Sequence, residues 1–439
     1  MHKEIAKFFL PKILVGVVFG CALLGITLGT LKIKQDKFVA FVPSPAPLNT
    51  PIPETKDFPK PTEIAMKKES FKEQVLSAQT ENLLPKSLKK KEIIGFLPFW
   101  LVKEAKIDYT KITTLVYFGI SFDKNGKIVR LSDDSTEEPG WTRFNSDELS
   151  TILTTANEKN IHTELAIRAM ENDTITGIVN NPLARKNTIE NAIEQMKNKK
   201  FGGINVDFEY QGVPDMHSIE NFNVFLDEIG KALRAANPRY TLSVDTYADT
   251  VKKVRLWDLK KISKEVDKVI VMAYDYTQMS SVRAGPVAPL SGSPDKYEYD
   301  VTQTVKDYLS IIPKEKIILG VPFYGYDWPT FDQTPMSEAR KDSNNYGSPA
   351  LSSYKRSMEL VSEKNLKIEW DEDAQTPWFA YKDPEKNTWR EVYFENEKSL
   401  IKKLDLLISN DLSGIGIWAL GYDGNDPILI NTIYQSLNP

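Results

Sequence analysis

Eight short apolar runs alternate along the chain with amphipathic helical patterns, and this alternation restricts the fold more than any other feature. The runs lie at 93–99, 113–120, 163–169, 203–209, 241–247, 268–274, 316–324 and 414–420. Between them lie segments such as Phe222, Phe225, Leu226, Ile229 and Leu233, whose spacing places five large apolar side chains on one helical face. Strands that alternate with helices build a parallel sheet, and eight of them predict an α/β fold of the (β/α)8 TIM-barrel type. A doubly wound open sheet has the same alternation, so periodicity alone leaves both architectures open. The seventh and eighth runs start about a hundred residues apart, far more than one helix and two loops require. An inserted α+β subdomain is therefore expected at about 327–395, within a barrel covering 92–439.

Composition narrows the chemistry. The 439 residues carry 56 Lys+Arg against 60 Asp+Glu, a net charge of −4, and 41% are hydrophobic. That balance fits a folded globular protein and argues against a disordered chain or a nucleic-acid binder that relies on basic excess. Cys21 is the only cysteine, and the histidines are His2, His162 and His217. An internal disulfide, a thiolate zinc cluster and a histidine-rich metal site are thereby disfavoured. Carboxylates, amides, hydroxyls and aromatics must carry any chemistry, and no cofactor is implied.

The N-terminal part reads differently. Lys3, Lys7 and Lys12 precede an uncharged stretch from Ile13 to Leu31. At about 1.5 Å per residue it spans roughly 28 Å, close to the ~30 Å hydrocarbon core of a bilayer. Residues 1–31 are read as a cytoplasmic tip and one transmembrane helix. A cleaved secretory signal competes, but its apolar core of about 7–15 residues should end at a small-residue site, and Leu31-Lys32-Ile33-Lys34 offers none. Val18-Phe19-Gly20-Cys21 faintly resembles a lipoprotein cleavage box, yet a further uncharged run follows the cysteine. Lys32, Lys34 and Lys37 balance the upstream lysines, so charge does not set the orientation. Residues 32–91 carry Pro43, Pro45, Pro47, Pro51, Pro53, Pro59 and Pro61 among small and polar residues, the composition of an extended spacer.

The fourth run reads Phe201-Gly202-Gly203-Ile204-Asn205-Val206-Asp207-Phe208-Glu209-Tyr210. In a strand, Ile204, Val206 and Phe208 face one way and Asn205, Asp207 and Glu209 the other. A polar surface row would explain this in a solvated sheet. In a parallel barrel both faces are covered, so an inward polar row must be hydrogen-bonded or serve function. Glu209 falls at the carboxyl end of the strand, the side on which barrel active sites lie.

These residues resemble the fourth-strand signature D-x-x-D-x-D-x-E of glycoside hydrolase family 18, with Gly202, Asn205, Asp207 and Glu209 on its four acidic positions. Met272-Ala273-Tyr274-Asp275 is similar to the family's sixth-strand Met-x-Tyr-Asp, Leu319-Gly320-Val321-Pro322-Phe323-Tyr324-Gly325 to its seventh strand, and Gly416-Ile417-Trp418 to its eighth. Gly285-Pro286-Val287-Ala288-Pro289-Leu290, Tyr324-Gly325-Tyr326-Asp327-Trp328 and Asp371-Glu372-Asp373-Ala374-Gln375-Thr376-Pro377 resemble the spore-germination and cortex-type peptidoglycan hydrolase branch.

The resemblance implies retaining hydrolysis in which the substrate's own 2-acetamido oxygen is the nucleophile, an exception to the usual two-carboxylate scheme. It implies Glu209 as general acid and base, Asp207 as partner of the acetamido N–H, Tyr274 on the acetamido carbonyl, and Asn205 as a fourth catalytic residue where the family has an Asp. Trp418, Asp275, Met272, Phe96 and Tyr210 are expected to bind substrate. The family's first two fourth-strand acids are absent, and Asn205 cannot exchange charge as an Asp would. Leu165-Ala166-Ile167-Arg168 stands where the family has S-x-G-G. The implied activity is hydrolysis of β-1,4-linked N-acetylglucosamine polymers, peptidoglycan before chitin, by a monomer anchored in the cell membrane with its barrel outside. A glycan-binding protein that has lost turnover is the alternative, and an unrelated barrel chemistry a remote third.

Overall fold

The computed structural model describes residues 90–438. Strands β1 (Glu92–Pro98), β2 (Thr114–Ser121), β3 (His162–Ala169), β4 (Gly203–Phe208), β5 (Thr241–Tyr247), β6 (Lys268–Met272) and β7 (Ile317–Pro322) follow one another through helical crossovers. The chain then forms β8 (Tyr324–Thr330), β9 (Ala350–Ser353), β10 (Glu369–Asp371), β11 (Thr376–Asp383) and β12 (Thr388–Tyr393), and returns as β13 (Gly414–Trp418). The parallel strands close in the order β1-β13-β7-β6-β5-β4-β3-β2, which removes the open sheet.

The other five strands form an antiparallel sheet in the order β10-β11-β12-β8-β9. It begins at Tyr324, upstream of Asp327, because only Phe323 separates β7 from β8 and spacing cannot resolve so abrupt a change of sheet. Gly325 is required there: a Cβ would collide with the Tyr393 carbonyl oxygen on β12.

The outer surface of β4 fixes which way its acids point. The helix Met216–Ala236 starts at Asp215, whose carboxylate accepts from the Ser218 N–H at 2.9 Å. The helix buries Phe222, Phe225, Leu226, Ile229 and Leu233, as the spacing predicts. Phe208 stacks on Phe225 at 5.4 Å between centroids and lies 6.1 Å from Phe222. Each such aromatic stabilises the fold by about 1.5–3 kcal/mol on burial. Turning β4 over would expose this cluster and bury the acids against the helix, so the packing holds Asn205, Asp207 and Glu209 inward.

The barrel interior is divided. Ile94, Phe96, Val116, Phe118, Ala166, Ile270 and Ile318 form one apolar cluster, with Met170 and Trp418 packed against it. The inward positions of β3, β4 and β5 instead carry buried Glu164, Asn205, Asp207, Ser243 and Asp245. Among the described residues no helix is long and apolar enough to cross a membrane. The predicted span at 13–31 and the proline spacer lie outside the described residues.

Candidate active site

At the carboxyl ends of the strands opens a cavity of about 1090 Å³. Asp207 from β4, Glu209 directly after it, Asp245 from β5, Met272 at the end of β6, Tyr274 and Asp275 just beyond it, and Trp418 at the end of β13 all line it. Six of the nine residues expected from sequence therefore meet at one cavity. Asn205 is completely buried one strand layer below Asp207.

Phe96 and Tyr210 are not among the lining residues. Phe96 lies deeper in the barrel as a prop for Trp418, with centroids 5.9 Å apart. Strand alternation gives a side chain's face but not its depth. Tyr210 follows the end of β4, where the alternation lapses, and packs against the main core.

The carboxylates are tightly placed. Burial pushes Asp207 well above the usual aspartate range, helped by the charges of Glu209 and Asp245 and opposed by Arg168. Glu209 is also raised, chiefly by burial and secondarily by Asp275, while a hydrogen bond from Tyr247 resists the shift. Tyr247 Oη donates to Glu209 Oε2 at 3.2 Å and accepts from Gln211 Nε2 at 2.8 Å. Burial raises Asp275 as well, against hydrogen bonds from Tyr324 and Tyr326. These reach the same Asp275 oxygen at 2.5 and 2.9 Å. Asp275 has φ of 59°, a left-handed turn immediately after β6 that swings its carboxyl toward the second sheet. Acids crowded into one cavity raise one another's hold on protons, so they do not all ionise together. Burial lifts Tyr274 far above its ordinary value, and it stays a neutral phenol able to donate.

Trp418 closes the opposite side. Phe118 meets it edge to face at 5.0 Å, and Trp100 lies 6.2 Å away. In the closed order β13 stands across the barrel from β4, so the indole faces the strand that carries Glu209. An apolar ring opposite an acid suits a sugar, whose C–H face stacks while its oxygens meet polar groups.

Sequence reasoning missed Asp245, Tyr247 and Arg168. Asn205 Nδ2 donates to Asp245 Oδ1 at 2.9 Å and to Ser243 Oγ at 3.0 Å. A signal existed: Ser243, Asp245 and Tyr247 repeat on β5 the inward polar alternation of β4. Arg168 pairs in register with Asp207. Its guanidinium donates to Glu138 at 3.0 Å and lies 5.3 Å from both the Phe99 and Phe118 rings. In place of the expected S-x-G-G, the strand carries a cation held by an acid and two aromatic faces, behind the cavity lining.

Residues 92–423 match the glycosyl hydrolases family 18. The chain belongs to that family. Bacillus subtilis (strain 168) YdhD, named as a sporulation-specific glycosylase, is 27% identical over 337 residues, 75% of this chain and 72% of its own length. The cortical fragment-lytic enzyme of the same organism is 25% identical over 317 residues, 71% of this chain and 65% of its own. The Ostrinia furnacalis Group IV chitinase in complex with allosamidin superposes with a TM-score of 0.68 at 23% identity, over 79% of this chain and 98% of that one. The Bacillus cereus spore cortex-lytic enzyme SleL gives 0.60 at 22% identity, over 79% of this chain and 74% of that one. The structural matches establish the shared fold. Membership of family 18, whose matched relatives are glycosylases and lytic enzymes, makes the chain a glycosidase.

Proposed function

We propose that this family 18 glycosidase hydrolyses β-1,4-linked N-acetylglucosaminyl polymers, with peptidoglycan as the natural polymer, by substrate-assisted retaining catalysis. The observation that carries the reading is Glu209 set in a deep cavity opposite Trp418, with Asp207 and Tyr274 beside it. A sugar stacked on Trp418 presents its anomeric carbon toward β4. Its 2-acetamido oxygen attacks that carbon to form an oxazolinium ion while Glu209 protonates the departing glycosidic oxygen. A carboxyl group raised by burial keeps its proton for this step. Asp207 in its anionic form holds the acetamido N–H and offsets the positive charge on the ring, and Tyr274 donates to the acetamido oxygen. Glu209 then takes a proton from water as it opens the oxazolinium ion, and configuration is retained.

The choice of peptidoglycan is supported by the cortex-lytic relatives, and the polymer's location puts the barrel outside the membrane. Residues 13–31 would anchor the chain, and the stretch from Pro43 to Pro61 reaches roughly 60 Å if extended at ~3.1 Å per residue. Purified peptidoglycan and chitin oligomers, incubated with wild type and Glu209→Gln, provide the test. New reducing ends should appear with wild type, more from peptidoglycan, and fall by about 10²–10⁴ in the variant. Equal release by both proteins defeats the reading, and binding without any product supports a glycan-binding role instead.

A further inference from the structure

Two buried oxygens at the centre of the site lack any hydrogen-bond partner: Asn205 Oδ1 and Asp207 Oδ1. They belong to adjacent inward side chains of one strand. An unpaired buried acceptor costs about 1–3 kcal/mol, and here two occur together. Neither can satisfy the other unless a proton lies between them. If Asp207 is a carboxylic acid, its O–H becomes a donor and the Asn205 oxygen its acceptor.

The orientation of the Asn205 amide is set from the other side. Its nitrogen gives one hydrogen to Asp245 Oδ1 at 2.9 Å and the other to Ser243 Oγ at 3.0 Å. Ser243 spends its own hydrogen on Glu164 Oε2 at 2.5 Å, so it can only accept from Asn205. Glu164 also accepts from Thr241 at 2.7 Å, and Thr241 meets the His162 ring nitrogen at 2.7 Å. The column from His162 up to Asn205 thus fixes the donors and acceptors so that the amide N–H side faces Asp245. An oxygen turned that way would confront the Ser243 lone pair.

We propose that Asn205 is an amide toggle through which Asp207 and Asp245 hold one negative charge between them. In the first state Asp245 is the anion and accepts the amide N–H, while protonated Asp207 donates to the amide oxygen. In the second the amide is turned over. Asp207 is then the anion and accepts the N–H, and Asp245 carries the proton and donates to the amide oxygen. One O–H bond breaks at Asp207 and one forms at Asp245. The proton passes through the cavity that both side chains line. Ser243 favours the first state, because only then does it receive a hydrogen from Asn205.

This inference rests on the proposed reaction for its purpose: the second state puts the negative charge beside the acetamido group just when positive charge develops there. Asp245 is thereby a positioning residue. The groups that surround the pair and must enter its titration are Glu164 and Arg168 on β3, Glu209 beyond β4, Tyr247 on β5, and Tyr274 and Asp275 beyond β6.

Two experiments test the toggle. The first needs no turnover: aspartate side-chain carboxyl carbons are labelled with ¹³C and followed by NMR against pH in wild type, Asp207→Asn and Asp245→Asn. Removing either acid should lower the other's midpoint by about one pH unit or more, because the remaining acid no longer shares a single charge with a partner. Midpoints that stay within a few tenths of a unit, or two carboxyls ionising independently in wild type, overturn the proposal. The second is kinetic. Asp245→Asn should lower kcat by about tenfold to a hundredfold with KM little changed. The exchange Asn205→Asp/Asp245→Asn, which keeps one acid and one amide in swapped places, should recover most of that loss. A double variant no better than the worse single overturns the proposal, since a role in packing alone predicts no recovery. Should Asp245→Asn fail to fold, Asp207→Asn gives the titration readout from the other side. If wild type cleaves no glycan, the proposed function fails while the titration still decides the toggle.

Discussion

Tyr247→Phe should move the alkaline limb of the pH–rate profile upward, by an amount the site geometry sets. The Tyr247 hydroxyl donates to Glu209 at 3.2 Å, and Gln211 donates to that hydroxyl at 2.8 Å, so its hydrogen is directed at the carboxylate. The ring is held from other directions, edge to face with Trp257 at 4.9 Å and with the Arg255 guanidinium 5.2 Å away. Phenylalanine therefore keeps the packing and removes only the donor. Hydrogen bonds to charged groups contribute about 1.5–3 kcal/mol. Short O–H···O⁻ contacts of about 2.5–2.7 Å are the strong ones, so a contact half an ångström longer is worth about 1 kcal/mol. At 1.36 kcal/mol per unit that corresponds to about 0.5–1 pH unit. The donor favours the anion, so its loss raises Glu209 further and preserves the acid form to higher pH. Initial rates on an N-acetylglucosamine oligomer, measured as kcat/KM from acid to alkaline pH, report the limb in the free enzyme. Gln211→Ala should shift it the same way by less. A limb that stays in place or moves down refutes the assignment of the acid to Glu209 or of the donor to Tyr247.

Other outcomes can be checked alongside. Asp207 is raised in the folded state by burial first, so the folded protein binds a proton the unfolded chain has released, and this group's stabilising contribution falls as pH rises from about 4 through the folded midpoint. Asp207→Asn should therefore match wild type in thermal midpoint near pH 4 and exceed it near pH 7, and parallel curves would contradict the burial argument. Trp418→Ala removes the platform opposite β4, and calorimetry should find N-acetylglucosamine oligomers bound about tenfold more weakly, or about 1.4 kcal/mol. Lys403 and Glu395 form a fully buried pair at 2.8 Å, with Ser399 donating to the same carboxylate. Lys403→Met strands that charge and should cost about 3–5 kcal/mol in urea denaturation, while adding Glu395→Leu should restore most of it.

Much of this architecture is legible in the sequence because burial on both faces forces a recognisable pattern. The apolar runs mark the barrel strands, and the polar row of β4 stands out because nothing apolar interrupts it. Asp245 escapes because one acid in Thr241-Leu242-Ser243-Val244-Asp245-Thr246-Tyr247 looks like ordinary alternation until β5 is placed beside β4. The register that pairs Asn205 with Ser243 is a property of closure, which no local pattern encodes. Phe96 errs the other way. It was expected at the substrate, but its place beside Trp418 follows from packing across the barrel that no local pattern gives. Arg168 was noticed only as a departure, since its meaning lies in Glu138, Phe99 and Phe118, all distant in sequence.

The second sheet leaves and rejoins the chain through neighbouring strands, with Tyr326 paired to Tyr393. It is therefore a cassette whose two ends meet, and chain length within it can change without moving the barrel staves. Yet Tyr324 and Tyr326, at its near end, hold Asp275. The portion open to exchange or loss during divergence thus begins after Tyr326. A shorter or longer insert keeps Asp275 held only if those two tyrosines stay with the barrel.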